Sequence, residues 1–196
     1  MKNSKHYSTL LIVLMSLQLL SGCSSSDNSP QYTEENPFPA YLHQTGFDES
    51  TIPYIDDNSN YEIGAKFIPE VNGKITSIIV KTPKEVSDLR VTIWDSQQSL
   101  PIQTFNVDVP NADVETTFDI ADIQLDAGKE YAITMNTANY YFHHRENSET
   151  APHPIMAGNI SIIGGVSNYG PSQTLDSTHS EGGLFGDCFF NFAETP

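Results

Sequence analysis

The stretch YEIGAKFIPEVNGKITSIIVK, residues 61–81, decides the fold. It contains two runs of β-branched and aromatic residues, "YEIGAKFI" (61–68) and "GKITSIIVK" (73–81), separated by Pro69 to Asn72, with Gly73 opening the second. Such side chains suit a pleated, half-buried strand, and Gly, Pro and Asn interrupt it. Neither run has the i, i+3, i+4 spacing of an amphipathic helix. Working outward, the same signal recurs in "LRVTIWD" (89–95), "LPIQTFNV" (100–107), "VETTFDI" (114–120), "KEYAITMN" (129–136), "NYYFHHR" (139–145), "NISIIGG" (159–165) and "DCFFNFAE" (187–194). About nine short strands with turn residues between them predict an all-β domain, a two-sheet, jelly-roll-like sandwich over residues 40–196.

Several of these segments also carry a resemblance. The strand from Gly64 to Phe67, the turn at Gly73, Trp94 closing its strand, "AGKEY" at 127–131 and the aromatic last strand are similar to a family of secreted bacterial β-sandwich domains, domain of unknown function 4082. The resemblance spans roughly residues 41–194. It implies the sandwich fold and kinship with carbohydrate-associated modules that accompany polysaccharide-active or adhesive domains.

The N-terminal residues read differently. Lys2 and Lys5 precede an apolar run, Leu10 to Leu20, which ends in Leu20-Ser21-Gly22-Cys23. Eleven residues span only about 16 Å as a helix against about 30 Å of hydrocarbon, so residues 1–22 are expected to be a signal peptide and not a membrane span. The tetrapeptide resembles the lipobox of bacterial lipoproteins, which implies acylation of Cys23 and a lipid anchor. Ser24 after the cysteine implies sorting to the outer membrane. Residues 23–39, polar and proline-punctuated, are expected to form a flexible tether.

Charge narrows the partners. Of nine basic side chains, Lys2 and Lys5 leave with the leader, so seven remain against 25 acidic ones, a net charge of −18. Nucleic acid is an unsuitable partner for such a chain. With Cys23 acylated, Cys188 has no disulfide partner; alternating with Phe190 and Phe192, it reads as a small buried hydrophobe.

For a site, "NYYFHHR" offers the richest chemistry. Strand parity puts Tyr140, Phe142 and His144 on one face and Tyr141, His143 and Arg145 on the other, so the adjacent histidines do not chelate one ion. The first set is expected to face inward. The second would face water or a covering loop, either as a sugar-binding shelf of aromatic ring, imidazole and guanidinium or as a plain solvated strand face. Trp94 shares a face with Arg90 and Thr92 and needs cover, which the segment Tyr41–Tyr54 or a ligand would supply. Asp56 and Asp57 in "DDNSN" are weak candidates for a structural Ca²⁺, without the spacing and glycine of an EF-hand loop. The sequence carries no G-x-S-x-G elbow, no H-E-x-x-H and no phosphate-cradling glycine loop, and no catalytic residue is expected.

Two functions are consistent with these features: a glycan-binding lipoprotein of the cell envelope, or a structural or protein-interaction subunit of a surface assembly. The anchor has a direct test. Cys23→Ala should release the protein from the membrane fraction and abolish labelling by a fatty-acid analogue such as alkynyl palmitate.

Overall fold

A computed structural model describes residues 33–56 and 58–196. Cys23, most of the expected tether and Asp57 lie outside the described residues. The elements in chain order are α1 (Pro37–Thr45), β1 (Ser50–Ile55), β2 (Tyr61–Pro69), β3 (Gly73–Lys81), β4 (Val86–Asp95), β5 (Leu100–Val109), β6 (Thr116–Leu125), β7 (Tyr131–Thr137), β8 (Asn139–His144), β9 (Ile155–Ala157), β10 (Ile160–Tyr169), β11 (Leu184–Phe185) and β12 (Asp187–Glu194). All nine expected strands have a counterpart. Three more strands and one helix were not anticipated, and no described helix is long and apolar enough to cross a membrane.

The strands form three antiparallel sheets that pack as a β-sandwich, not the two expected. A six-stranded sheet has the order β5-β4-β7-β2-β10-β9; the others are β12-β3-β6 and β1-β8-β11. Only Gly186 separates β11 from β12, so one run of chain pairs first with β8 and then with β3. The third sheet thus arises where a single long strand changes partners.

Alternation along β2, β4 and β7 sends Ile63, Ala65, Phe67, Leu89, Val91, Ile93, Ile133 and Met135 into the core. They meet Ile75, Ile78, Val80, Cys188, Phe190 and Phe192 from β3 and β12. The rings of Phe67 and Phe190 lie 4.6 Å apart across this interface. Glycine is needed where backbones come close: a Cβ on Gly64 would lie 2.0 Å from the Ile133 carbonyl oxygen, and one on Gly73 would lie 2.1 Å from the Phe192 ring.

The fold takes in part of the expected tether. Glu35 and Phe192 exchange two backbone hydrogen bonds of 2.8 Å, and Asn36 caps α1 by accepting from the Phe38 amide. Pro37 occupies the first turn, where a missing N–H costs nothing, and Gly46 ends the helix with φ of 72°. Phe38 then stacks on Phe189 at 4.5 Å, covering the face of β12 opposite the core.

Phe190 is fully buried. Phe190→Ala should therefore cost about 3–5 kcal/mol in urea unfolding monitored by far-UV circular dichroism.

Candidate functional site

The expected shelf on β8 does not face solvent. Parity sorts its side chains as the sequence implies, but α1 and the turn around Asp113 cover the Tyr141/His143 face. Tyr141 is buried with its hydroxyl donating to Asp113, and the Lys81 ammonium lies 4.9 Å from its ring centroid. Burial first, then the Asp113 carboxylate, raises the pKa of this phenol. His143 meets the edge of Phe38 and bridges Asp187 and Thr51. The Asp187 carboxylate accepts from its Nε2–H, which leaves Nδ1 to accept from the Thr51 hydroxyl at 3.1 Å. Arg145 donates from Nε to the Thr45 carbonyl at 2.7 Å and from Nη1 to that of Thr150 at 3.1 Å, tying the end of β8 to the helix. The three residues therefore do not form an open shelf. They hold α1, β1 and β12 together, and Thr51 and Asp187, which the sequence did not single out, complete the arrangement.

The outer face of the six-stranded sheet brings Trp94 and Arg90 together. The pairing of β4, β7 and β2 lays out three rows across this face: Arg90–Asn136–Glu62, Thr92–Thr134–Gly64 and Trp94–Ala132–Lys66. Small residues in the centre and large ones at the margins make a trough. Glu62 is 1% exposed, and its carboxylate accepts from Arg90 Nη2 at 2.7 Å, from Asn136 Nδ2 at 3.2 Å and from the Thr134 hydroxyl. Thr134 in turn accepts from the Trp94 indole N–H at 2.7 Å. The cover over this face is the segment 170–178, which follows β10, and not the expected Tyr41–Tyr54. Arg90 reaches the Pro171 carbonyl, Asn136 that of Gly170 and Lys66 that of Ser177, while Gln173 donates to Thr92 and Thr104. The Tyr41–Tyr54 segment instead packs over β12 and His153, where Tyr41 donates to His153 Nε2 and burial lowers the histidine pKa.

A cluster of four tyrosines closes one end of the sandwich. Tyr61 and Tyr169 are direct cross-strand partners in the six-stranded sheet, and Tyr54 and Tyr140 are partners between β1 and β8. The two pairs meet: Tyr54 stacks on Tyr140 at 4.9 Å, and Tyr61 presents edges to Tyr54, Tyr140 and Tyr169 at 6.0, 5.8 and 5.4 Å. Tyr140 is buried, whereas Tyr54 is 39% and Tyr169 71% exposed. Burial is the main cause that pushes the Tyr140 pKa up to about 12, and a hydrogen bond with Tyr54 raises that of Tyr61. Tyr61 and Tyr140 therefore stay uncharged at neutral pH.

Of the two cation candidates, Asp57 lies outside the described residues. Asp56 accepts from the Asn58 amide in a local turn, Asp48 bonds His43, and Glu49 accepts from the Glu146 amide. Among the described residues no three His, Cys, Asp or Glu side chains are grouped to hold a metal ion. Cys188 is fully buried, and desolvation raises its thiol pKa far above the ordinary range.

The buried His143–Asp187 pair yields a stability test. His143→Ala strips the Asp187 carboxylate of its partner and should cost about 3–5 kcal/mol in urea unfolding. The double variant His143→Ala/Asp187→Ala should recover part of that loss, because no unpaired charge is left inside. No protein-family model and no curated protein matches the chain.

Proposed function

We propose that this protein is an envelope lipoprotein, anchored through Cys23 to the outer membrane, whose β-sandwich binds glycan on the tyrosine platform. The observation that carries the reading is the cluster Tyr54, Tyr61, Tyr140 and Tyr169, with Tyr169 71% exposed at its rim. A large exposed ring supported edge-on by a second aromatic is held rigid yet left open. Aromatic faces of this kind pack against the C–H surface of a pyranose, and phenol and amide groups bind its hydroxyls. Ser59 supplies such a group beside the platform, its hydroxyl within 3.5 Å of the Tyr169 hydroxyl. The net acidity of the mature chain disfavours anionic saccharides and favours neutral ones. The resemblance to carbohydrate-associated sandwich domains agrees with this reading, with the ligand moved from the expected β8 face to the end of the sandwich.

A second reading, a protein-interaction subunit, draws support from β1. It is an edge strand with Ile52 49% and Ile55 51% exposed. Such a strand invites pairing with another chain, although Pro53 interrupts its row of donors.

A neutral-glycan array probed with the full-length protein in a sugar-free detergent tests the first reading, followed by titration calorimetry on the best hit. Tyr169→Ala should weaken that affinity by about 1–2 kcal/mol, five- to thirtyfold in Kd. Met156→Ala, in β9 beside the opposite end of β10 and 58% exposed, should leave it unchanged. Equal affinity in wild type and Tyr169→Ala would remove the platform from consideration.

A further inference from the structure

The trough under segment 170–178 has properties that its role as a sheet surface does not require. We infer that this segment is a removable strap over a second subsite, which takes a neutral oligosaccharide chain continuing from the tyrosine platform; the ligand class, though not the strap, rests on the platform reading above.

Three observations carry the inference. The first is what holds the strap. Residues 171–178, PSQTLDST, contain one branched aliphatic side chain, Leu175, and that is only half-buried. Hydrogen bonds hold it to the sheet: three backbone carbonyls accept from Arg90, Asn136 and Lys66, Gln173 donates to two threonines, and Asn168 of β10 donates to Thr174. Segments with few buried apolar contacts occupy the low-stability end of a fold and open locally. Gly170, with φ of 117° and nothing within 4 Å of a Cβ, allows the chain to swing at one end. At the other end the Gly165–Ser180 bridge, with hydrogen bonds of 3.0 and 2.6 Å, fixes the limit of the movement.

The second observation is what lies beneath. Opening the strap uncovers an indole, a guanidinium, an ammonium, a carboxylate, a carboxamide and two hydroxyls around the small floor of Gly64 and Ala132. Arg90, Asn136 and Lys66 would lose the carbonyls they now hold, and Arg90 Nε is already buried without a partner. Buried donors need acceptors, so an open trough must be filled either by water or by a polar chain. Saccharide hydroxyls both accept and donate, so they can replace the strap carbonyls on Arg90, Asn136 and Lys66 and donate to Glu62, with the Trp94 indole, buried while the strap is closed, as a stacking face.

The third observation is continuity. Tyr169, the most exposed ring of the platform, directly precedes the Gly170 hinge, and Gly170 N–H donates to Asn60 O at 2.8 Å. Asn60 joins the platform to the Arg90–Asn136–Glu62 row through its bond to Asn136 at 3.1 Å. Tyr169 projects with its partner Tyr61 on the core side of the sheet and Glu62 on the outer side, so a chain lying on Tyr169 reaches the trough by rounding the end of the sheet at the Gly170 hinge.

Trp94 is the single tryptophan of the chain, so its emission reports on the trough alone. Acrylamide quenching of the full-length protein in sugar-free detergent should be weak in wild type. Gln173→Ala, which deletes both side-chain bonds of the strap to β4 and β5, should raise the quenching constant several-fold. Neutral hexasaccharides of the β-glucan and mannan types, added at millimolar concentration, should return it towards the wild-type value, and Arg90→Lys in the Gln173→Ala background should abolish that protection. Thr104→Ala, which removes only the outer of the two Gln173 bonds, should move quenching in the same direction to a smaller extent. The inference fails if Gln173→Ala and Thr104→Ala both leave Trp94 shielded, or if no saccharide in the panel protects it once exposed. Protection by a synthetic peptide of residues 170–180, with none from saccharides, would overturn the ligand class by assigning the trough to peptide. Protection in Gln173→Ala together with equal array affinity in wild type and Tyr169→Ala would show the platform reading to be wrong while the trough stands; equal affinity with trough protection absent throughout would remove both.

Discussion

The packing of β12 on both of its faces is the constraint on which the rest of the structure depends. Phe190 meets Phe67 of the six-stranded sheet on one side, and Phe189 meets Phe38 of α1 on the other. A strand dry on both faces has no polar side to present, which is why "DCFFNFAE" reads as a nearly continuous apolar run. Because β11 and β12 are one strand interrupted at Gly186, the same run positions β8. With β8 in place, His143 is set against Asp187 and Thr51, and Tyr140 reaches Tyr61 at the end of the sandwich.

The outer face of the large sheet follows a different logic. Burying Glu62 removes a carboxylate from water, and that is tolerable only because Arg90, Asn136 and Thr134 donate to it. Such a network contributes little net stability in comparison with an apolar layer, and it restricts the geometry of its members. The protein thus has an apolar interior that holds the fold and a polar, covered exterior in which function is better sought.

Much of this was legible from the residues. Strand positions followed from β-branched and aromatic runs between turn residues, and parity sorted Tyr140, Phe142 and His144 from Tyr141, His143 and Arg145. Which of those two faces is dry was not legible, because it depends on α1 and the Asp113 turn, both distant in sequence. α1 itself was obscured by Pro37 and Pro39, which read as breakers, although Asn36-Pro37 is also a cap followed by a first-turn proline. β1 was hidden by Pro53. The tyrosine platform gathers positions 54, 61, 140 and 169, and only the topology shows that they meet. For Trp94 the need for a cover was legible, but not that residues following β10 would provide it.

The pairing of Glu35 with Phe192 also sets a polarity. Glu35 accepts from the Asn159 amide, next to the first residue of β10, while Tyr169 is the last residue of that strand. Nine steps of about 3.3 Å put roughly 30 Å between them. Glu35 and the exposed Tyr169 ring therefore stand at opposite ends of β10.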